Sequence, residues 1–181
     1  MSRPLRRGPA LGLFIFTLVL GPLPAVADDA ACAAIMDAAR SIGTAPHYRS
    51  VLVATSPTRR RPMEREQIVV DDVIYATSLG AGRWMKLPMT ASDREALAAG
   101  LVRYPPHHCD AADVTDAGGP LRIFTYRQDV SGPDSASSRL WVGTADGRPR
   151  RFESQEGTMR VVITLEYDGV KAPELHEPPP P

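Results

Sequence analysis

Tryptophan, tyrosine and phenylalanine together make up only 6% of the chain, and that scarcity removes one function class at once. Proteins that hold single-stranded nucleic acid stack bases on aromatic platforms, and there is too little aromatic surface here to build one. An excess of charge of either sign is missing as well: 21 basic residues face 21 acidic ones, which leaves no basic footprint for a phosphate backbone. Nucleic acid is therefore not an expected partner. Catalytic signatures are also lacking. No Gly-x-Ser-x-Gly elbow, glycine-rich phosphate loop or calcium loop occurs. The paired carboxylates Asp28-Asp29 and Asp71-Asp72 read as a helix start and a turn. No enzyme activity and no cofactor are expected.

Long hydrophobic runs are missing too. The most apolar stretch, residues 11–21, is about half of the roughly 20 residues a membrane-spanning helix needs. It follows Arg3, Arg6 and Arg7 and precedes Ala25-Val26-Ala27, an A-x-A cleavage site before Asp28. A basic segment, a short apolar core and small residues at the cut make a secretory signal peptide over residues 1–27. The expected product is an exported periplasmic protein starting at Asp28. It is mildly acidic, because the signal removes three arginines and no acid.

Cysteine is nearly absent: Cys32 and Cys109 are the whole supply. In an oxidising compartment two cysteines form one bridge or remain two reactive thiols, and the even count favours the bridge. It would close a loop of about 77 residues and contribute roughly 4 kcal/mol in the chain-entropy description.

What is present is strand and turn. Residues 139–145, 150–155 and 158–167 form three runs rich in β-branched and aromatic residues, separated by Asp146-Gly147 and Glu156-Gly157. Asp-Gly between such runs is a strong hairpin signal, because both turn residues tolerate positive φ. The reading is a three-stranded antiparallel meander. Upstream, residues 28–43 read as a helix. Cys32, Ile35, Met36, Ala39 and Ile42 form one apolar stripe, and Gly43 and Pro46 supply the stop. Residues 47–56, 67–70, 73–78 and 83–87 read as strands, with Gly80-Ala81-Gly82 turning the chain before the last of them. Residues 58–66, with Arg59, Arg60 and Arg61, read as a mobile hairpin loop. Residues 90–102 read as a second helix with overlapping caps at Thr90-x-x-Asp93 and Ser92-x-x-Glu95, and with Leu97 and Leu101 as a thin apolar face. Residues 107–114 are ambiguous, with a short edge strand as one option; residues 121–130 alternate as a strand, and residues 131–138 read as a loop. The tail over residues 174–181, ending in four prolines, is expected to be extended and disordered.

About eight or nine strands and two helices give an α+β chain with one domain over residues 28–173. A single amphipathic helix covers only part of so wide a sheet. The expectation is a strongly curved antiparallel sheet, a half-open β-barrel, wrapped around the N-terminal helix with spare apolar concavity. The second, short helix is a candidate lid. In the last strand Val161, Ile163, Leu165 and Tyr167 share one face.

Three stretches carry a resemblance. Ile74-Tyr75 with Arg83-Trp84-Met85-Lys86-Leu87-Pro88 is one. Leu140-Trp141-Val142-Gly143 with the run from Asp146 to Phe152 is the second, and Tyr167-Asp168 with Val170-Lys171-Ala172-Pro173 the third. They resemble the outer-membrane lipoprotein carrier superfamily, which includes the LolA and LolB carriers and the mycobacterial LppX type lipoproteins. The resemblance implies a non-enzymatic exported protein, expected as a monomer, that holds a lipid or other apolar molecule in the curved sheet. Ile35, Trp84, Trp141, Val161, Ile163 and Leu165 are the candidate lining, and Arg59, Arg60 and Arg61 candidate contacts for head groups or envelope proteins. The alternative is an interaction module with a filled core and no ligand. His107-His108-Cys109-Asp110 is the sole metal-like cluster. Neighbouring histidines on a strand point to opposite sides, and no spaced second pair exists, so no metal is expected.

Overall fold

The computed structural model describes residues 25–77, 83–100, 104–131 and 134–175. Most of the signal segment, the Gly80-Ala81-Gly82 turn, Leu101, His176 and the proline tail lie outside these residues. Helix α1 spans Ala25–Thr44, so it begins three residues before the expected start at Asp28. Four strands follow, β1 (His47–Thr55), β2 (Met63–Val70), β3 (Val73–Thr77) and β4 (Trp84–Pro88). Helix α2 spans Ala91–Gly100. Then come β5 (His107–Asp116), β6 (Gly119–Ser131), β7 (Asp134–Gly143), β8 (Pro149–Glu156) and β9 (Met159–Glu166).

The nine strands form one open, curled antiparallel sheet in the order β4-β3-β2-β1-β9-β8-β7-β6-β5. Two meanders, β1 to β4 and β5 to β9, are joined where β1 pairs with β9. The two edge strands are β4 and β5, and α2 lies on the connection between them.

Alternation of side chains assigns the two faces. The inner row from β9 to β3 reads Leu165, Ser50, Gln67, Ala76, and the next reads Ile163, Leu52, Arg65. The stripe on α1 packs against this face in two places. Ile35 and Ala38 meet Cys109, Phe124, Leu140 and Phe152. Ile42 meets Tyr48, Val69, Met89 and Leu165. Cys32 and Cys109 are bridged, with Cα atoms 5.4 Å apart, and this ties α1 to edge strand β5.

Several expectations are corrected. Residues 131–138 are not a loop: β7 begins at Asp134, and Ala136 and Ser138 are buried on the inner face. Small side chains suit a crowded concavity, and the Ser138 hydroxyl donates to Ser154 Oγ at 3.2 Å. Strand β2 begins at Met63, inside the segment expected to be loop. Its charges are absorbed by alternation, since Glu66 on the outer face accepts from Arg49 at 2.6 Å. Residues 107–114 resolve as a full edge strand reaching Asp116. The Asp146-Gly147 hairpin has a longer loop than a two-residue turn, because Gly147 N–H bonds back to the Gly143 carbonyl at 2.9 Å with Gly147 at φ 66°. The last hairpin turns on Gly157-Thr158, one residue later than expected, with Gly157 at φ 53°.

Candidate ligand cavity

Side chains of α1 do not fill the whole hollow. Between α1, α2 and the inner face of β9, β1 and β2 lies a cavity of about 250 Å³. Leu165 and Ile163 of β9, Leu52 and Tyr48 of β1 and Ile42 of α1 make its apolar wall. Ala96 and Gly100 of α2 close one side, and Ser50, Gln67 and Arg65 supply its polar groups. Burial pushes the Tyr48 phenol up to about 12, although the nearby Arg94 and Gln67 pull the other way.

The α2 side of the cavity is anchored by side chains of its own first turns. Thr90 is the N-cap: Asp93 N–H donates to its hydroxyl at 3.2 Å, and Thr90 N–H donates back to the Asp93 carboxylate at 2.8 Å. This reciprocal pair is a capping box with Asp in the usual Glu place. Hydrogen bonds from the Thr90 N–H and hydroxyl hold the Asp93 carboxyl below the usual carboxylate range. One turn on, Arg94 donates to the Ala45 carbonyl at 3.3 Å, to the Asp71 carbonyl, and to Asp72 at 3.1 Å. A single guanidinium thus ties α2 to the end of α1 and to the β2–β3 turn.

A second hollow of about 490 Å³ lies on the other flank of α1, against Phe124 and Val142. Its rim is charged: Asp37, Arg122 and Asp146 line it. Arg122 is held by Asp113 at 2.7 and 3.0 Å, and Asp146 by Arg150 at 2.7 Å. Pairing lowers the Asp113 carboxyl from its ordinary range. A polar, internally paired rim makes this flank the poorer site for an apolar ligand.

The expected lining residues separate into three groups. Ile163 and Leu165 line the 250 Å³ cavity. Val161 shares their face opposite Ala54, one row beyond the lining. Ile35 has 0% exposure and is spent on the core around the disulfide. Trp84 and Trp141 lie on the opposite face of the sheet. Trp84 pairs with Thr77, whereas the inner face at β4 carries Met85 and Leu87. Trp141 sits between Ile123 and Arg151, whose guanidinium lies 5.5 Å over the indole. Their placement follows from register alone, and the sequence pattern gave no phase for either strand.

Arg59, Arg60 and Arg61 are exposed in the β1–β2 connection. His107 and His108 do not point apart: their rings meet edge to face at 5.0 Å. A positive φ of 50° at His108 and a bulge between His107 and Asp110 break the alternation that would separate them. His107 is 3.2 Å from Asp129. Among the described residues no three His, Cys, Asp or Glu side chains converge as metal ligands. Sequence reasoning missed Ser50, Gln67, Arg65 and the α2 contacts. The signal was partial: the Asp71-Asp72 turn sets Gln67 opposite Ala76, whereas the register that puts Gln67 opposite Ser50 and Arg65 opposite Leu52 runs through the longer β1–β2 connection, which carries no tight-turn signature.

Against solved structures, LprF from Mycobacterium bovis aligns over 81% of this chain and 97% of its own, with 12% identity and a TM-score of 0.50. The fold is that of LprF. The lipoprotein LppX from Mycobacterium tuberculosis aligns over 80% of this chain and 98% of its own at 11% identity and a TM-score of 0.49. A LolA superfamily protein from Nitrosomonas europaea aligns over 82% and 95% at 8% identity and a TM-score of 0.27. No family model matches the sequence, and no curated protein matches it. Among the described residues no helix is long and apolar enough to cross a membrane.

Proposed function

We propose that this protein is a non-catalytic carrier that, once exported to the periplasm, holds a lipid or other apolar small molecule between its helices and the concave face of its sheet. The observation that carries the reading is the cavity of about 250 Å³ in which Leu52 and Ile163 stay only half-buried beside the packed Ile42 and Leu165. Concave, mainly apolar hollows with a few polar groups are what small-molecule sites look like. The LprF-like fold, the signal segment over residues 1–27 and the lipoprotein resemblance of the three sequence stretches support the same reading. The test is direct. Protein purified from an exporting host should begin at Asp28 and take up an apolar fluorescent probe, and Ile163→Asp should abolish that uptake. Lipid-free extracts under denaturing mass spectrometry, together with no probe response, would refute the proposal.

A second reading, an envelope interaction module, draws on the exposed Arg59, Arg60 and Arg61. Near an anionic surface each is worth about 1 kcal/mol. Neutralising all three should then abolish capture of an envelope partner and leave probe uptake unchanged.

A further inference from the structure

The cavity beside α2 is not uniformly greasy. Its polarity grades across the sheet, from Leu165 and Ile163 on β9, through Ser50 and Leu52 on β1, to Gln67 and Arg65 on β2. Among the described residues Arg65 is the single charged side chain in the lining. Both acidic neighbours in sequence, Glu64 and Glu66, project from the other face by strand alternation, and Glu66 is engaged by Arg49. Among the described residues Arg65 has no ion-pair or hydrogen-bond partner. An unpaired guanidinium at the exposed margin of an apolar hollow matches one kind of ligand. It presents a fork of donors suited to carboxylate or phosphate, while the wall behind it suits a hydrocarbon tail.

Resting on the carrier reading above, we infer that the ligand is a single-chain amphiphile with an anionic head, its tail along Leu165, Ile163 and Ile42 and its head at Arg65, with Ser50 and Gln67 beside it. A volume of about 250 Å³ lies just under the roughly 300–1,000 Å³ of ordinary small-molecule sites, which favours one chain over two. The head is a fatty-acid carboxylate or the phosphate of a monoalkyl lipid, which share this chemistry.

The experiment titrates the intact exported protein with palmitate, hexadecyl phosphate and hexadecanol, which carry the same tail. Binding of either anion about fivefold tighter than the alcohol is expected, the upper end for a partly exposed ion pair. The tighter anion identifies the head group. Arg65→Gln should erase that preference while hexadecanol binding stays put, and Arg65→Lys should keep part of it. The wild-type preference should also collapse in about 1 M salt, a readout that needs no variant. If hexadecanol binds as well as both anions, the inference falls and the carrier reading stands. If none of the three binds, both fall.

Discussion

The bridge between Cys32 and Cys109 makes the sharpest quantitative demand on the molecule. Replacing both residues, Cys32→Ala with Cys109→Ala, leaves no odd thiol behind. The cross-link spans 77 residues of sequence and joins α1 to an edge strand that has a neighbour on one side only. Loop-closure entropy for that span gives about 4 to 5 kcal/mol, and loss of the sulfur atoms beside Ile35 and Phe124 adds on the order of 1 kcal/mol. Domains of this size are stable by roughly 5–15 kcal/mol, so the variant should sit near the edge of folding. Urea denaturation followed by Trp84 and Trp141 fluorescence is the assay. With a slope near 2 kcal/mol per molar, the midpoint should fall by about 2.5 to 3 M, and amides of the first half of α1 should lose exchange protection. A midpoint within about 0.5 M of the wild type would refute the reasoning. It would mean that burial of Ile35 and Ala38 alone docks the helix.

Other predictions concern the helix beside the cavity and the buried phenols. Thr90→Ala should cost about 1 kcal/mol in thermal unfolding through loss of the N-cap. Because the Asp93 carboxyl is held below its ordinary value of 3.8, the stability it contributes is whole above that pH and lost as pH falls through the depressed value. Melting curves of the wild type and Asp93→Asn should therefore converge in acid. Arg94→Met removes the tie among α2, Ala45 and Asp72, and stopped-flow release of an apolar probe should speed up severalfold; unchanged release would show that α2 does not gate the cavity. Burial raises Tyr48 from 10.0 to about 12 and also raises Tyr126 and Tyr167. A raised phenol stabilises the fold fully below pH 10 and ceases to do so as pH climbs through the folded value. Alkaline unfolding between pH 10 and about 12, with tyrosine absorbance changing in the same step, is the expected result.

Elements whose signals are local were legible in the sequence. The α1 stripe, the Thr90 cap and the glycine turns each depend on residues within one turn or hairpin. The bridge was legible too, since only one pairing exists. What failed depends on partners far away in the chain. Ser135, Ser137 and Ser138 have loop composition, yet pairing with β6 holds them in a strand. Arg65 lies in a segment whose density of charge argues against strand, yet alternation gives opposite faces to Arg65 and its glutamates. Trp84 and Trp141 read equally as cavity lining or as plain sheet packing, and only the register, set by distant partners, places both on the other face. The cavity had no local signature, because it is what remains when a helix of one width lies in a sheet of greater width.

Filling that space is the most direct test of the central claim. Ala96 lines the cavity from α2 and is exposed, so Ala96→Trp can occupy the hollow without burying a charge or disturbing the core. Equilibrium uptake of an apolar fluorophore should saturate at one site in the wild type and weaken at least tenfold in Ala96→Trp, with melting temperature preserved. Equal uptake by the two proteins, or none by either, would contradict it.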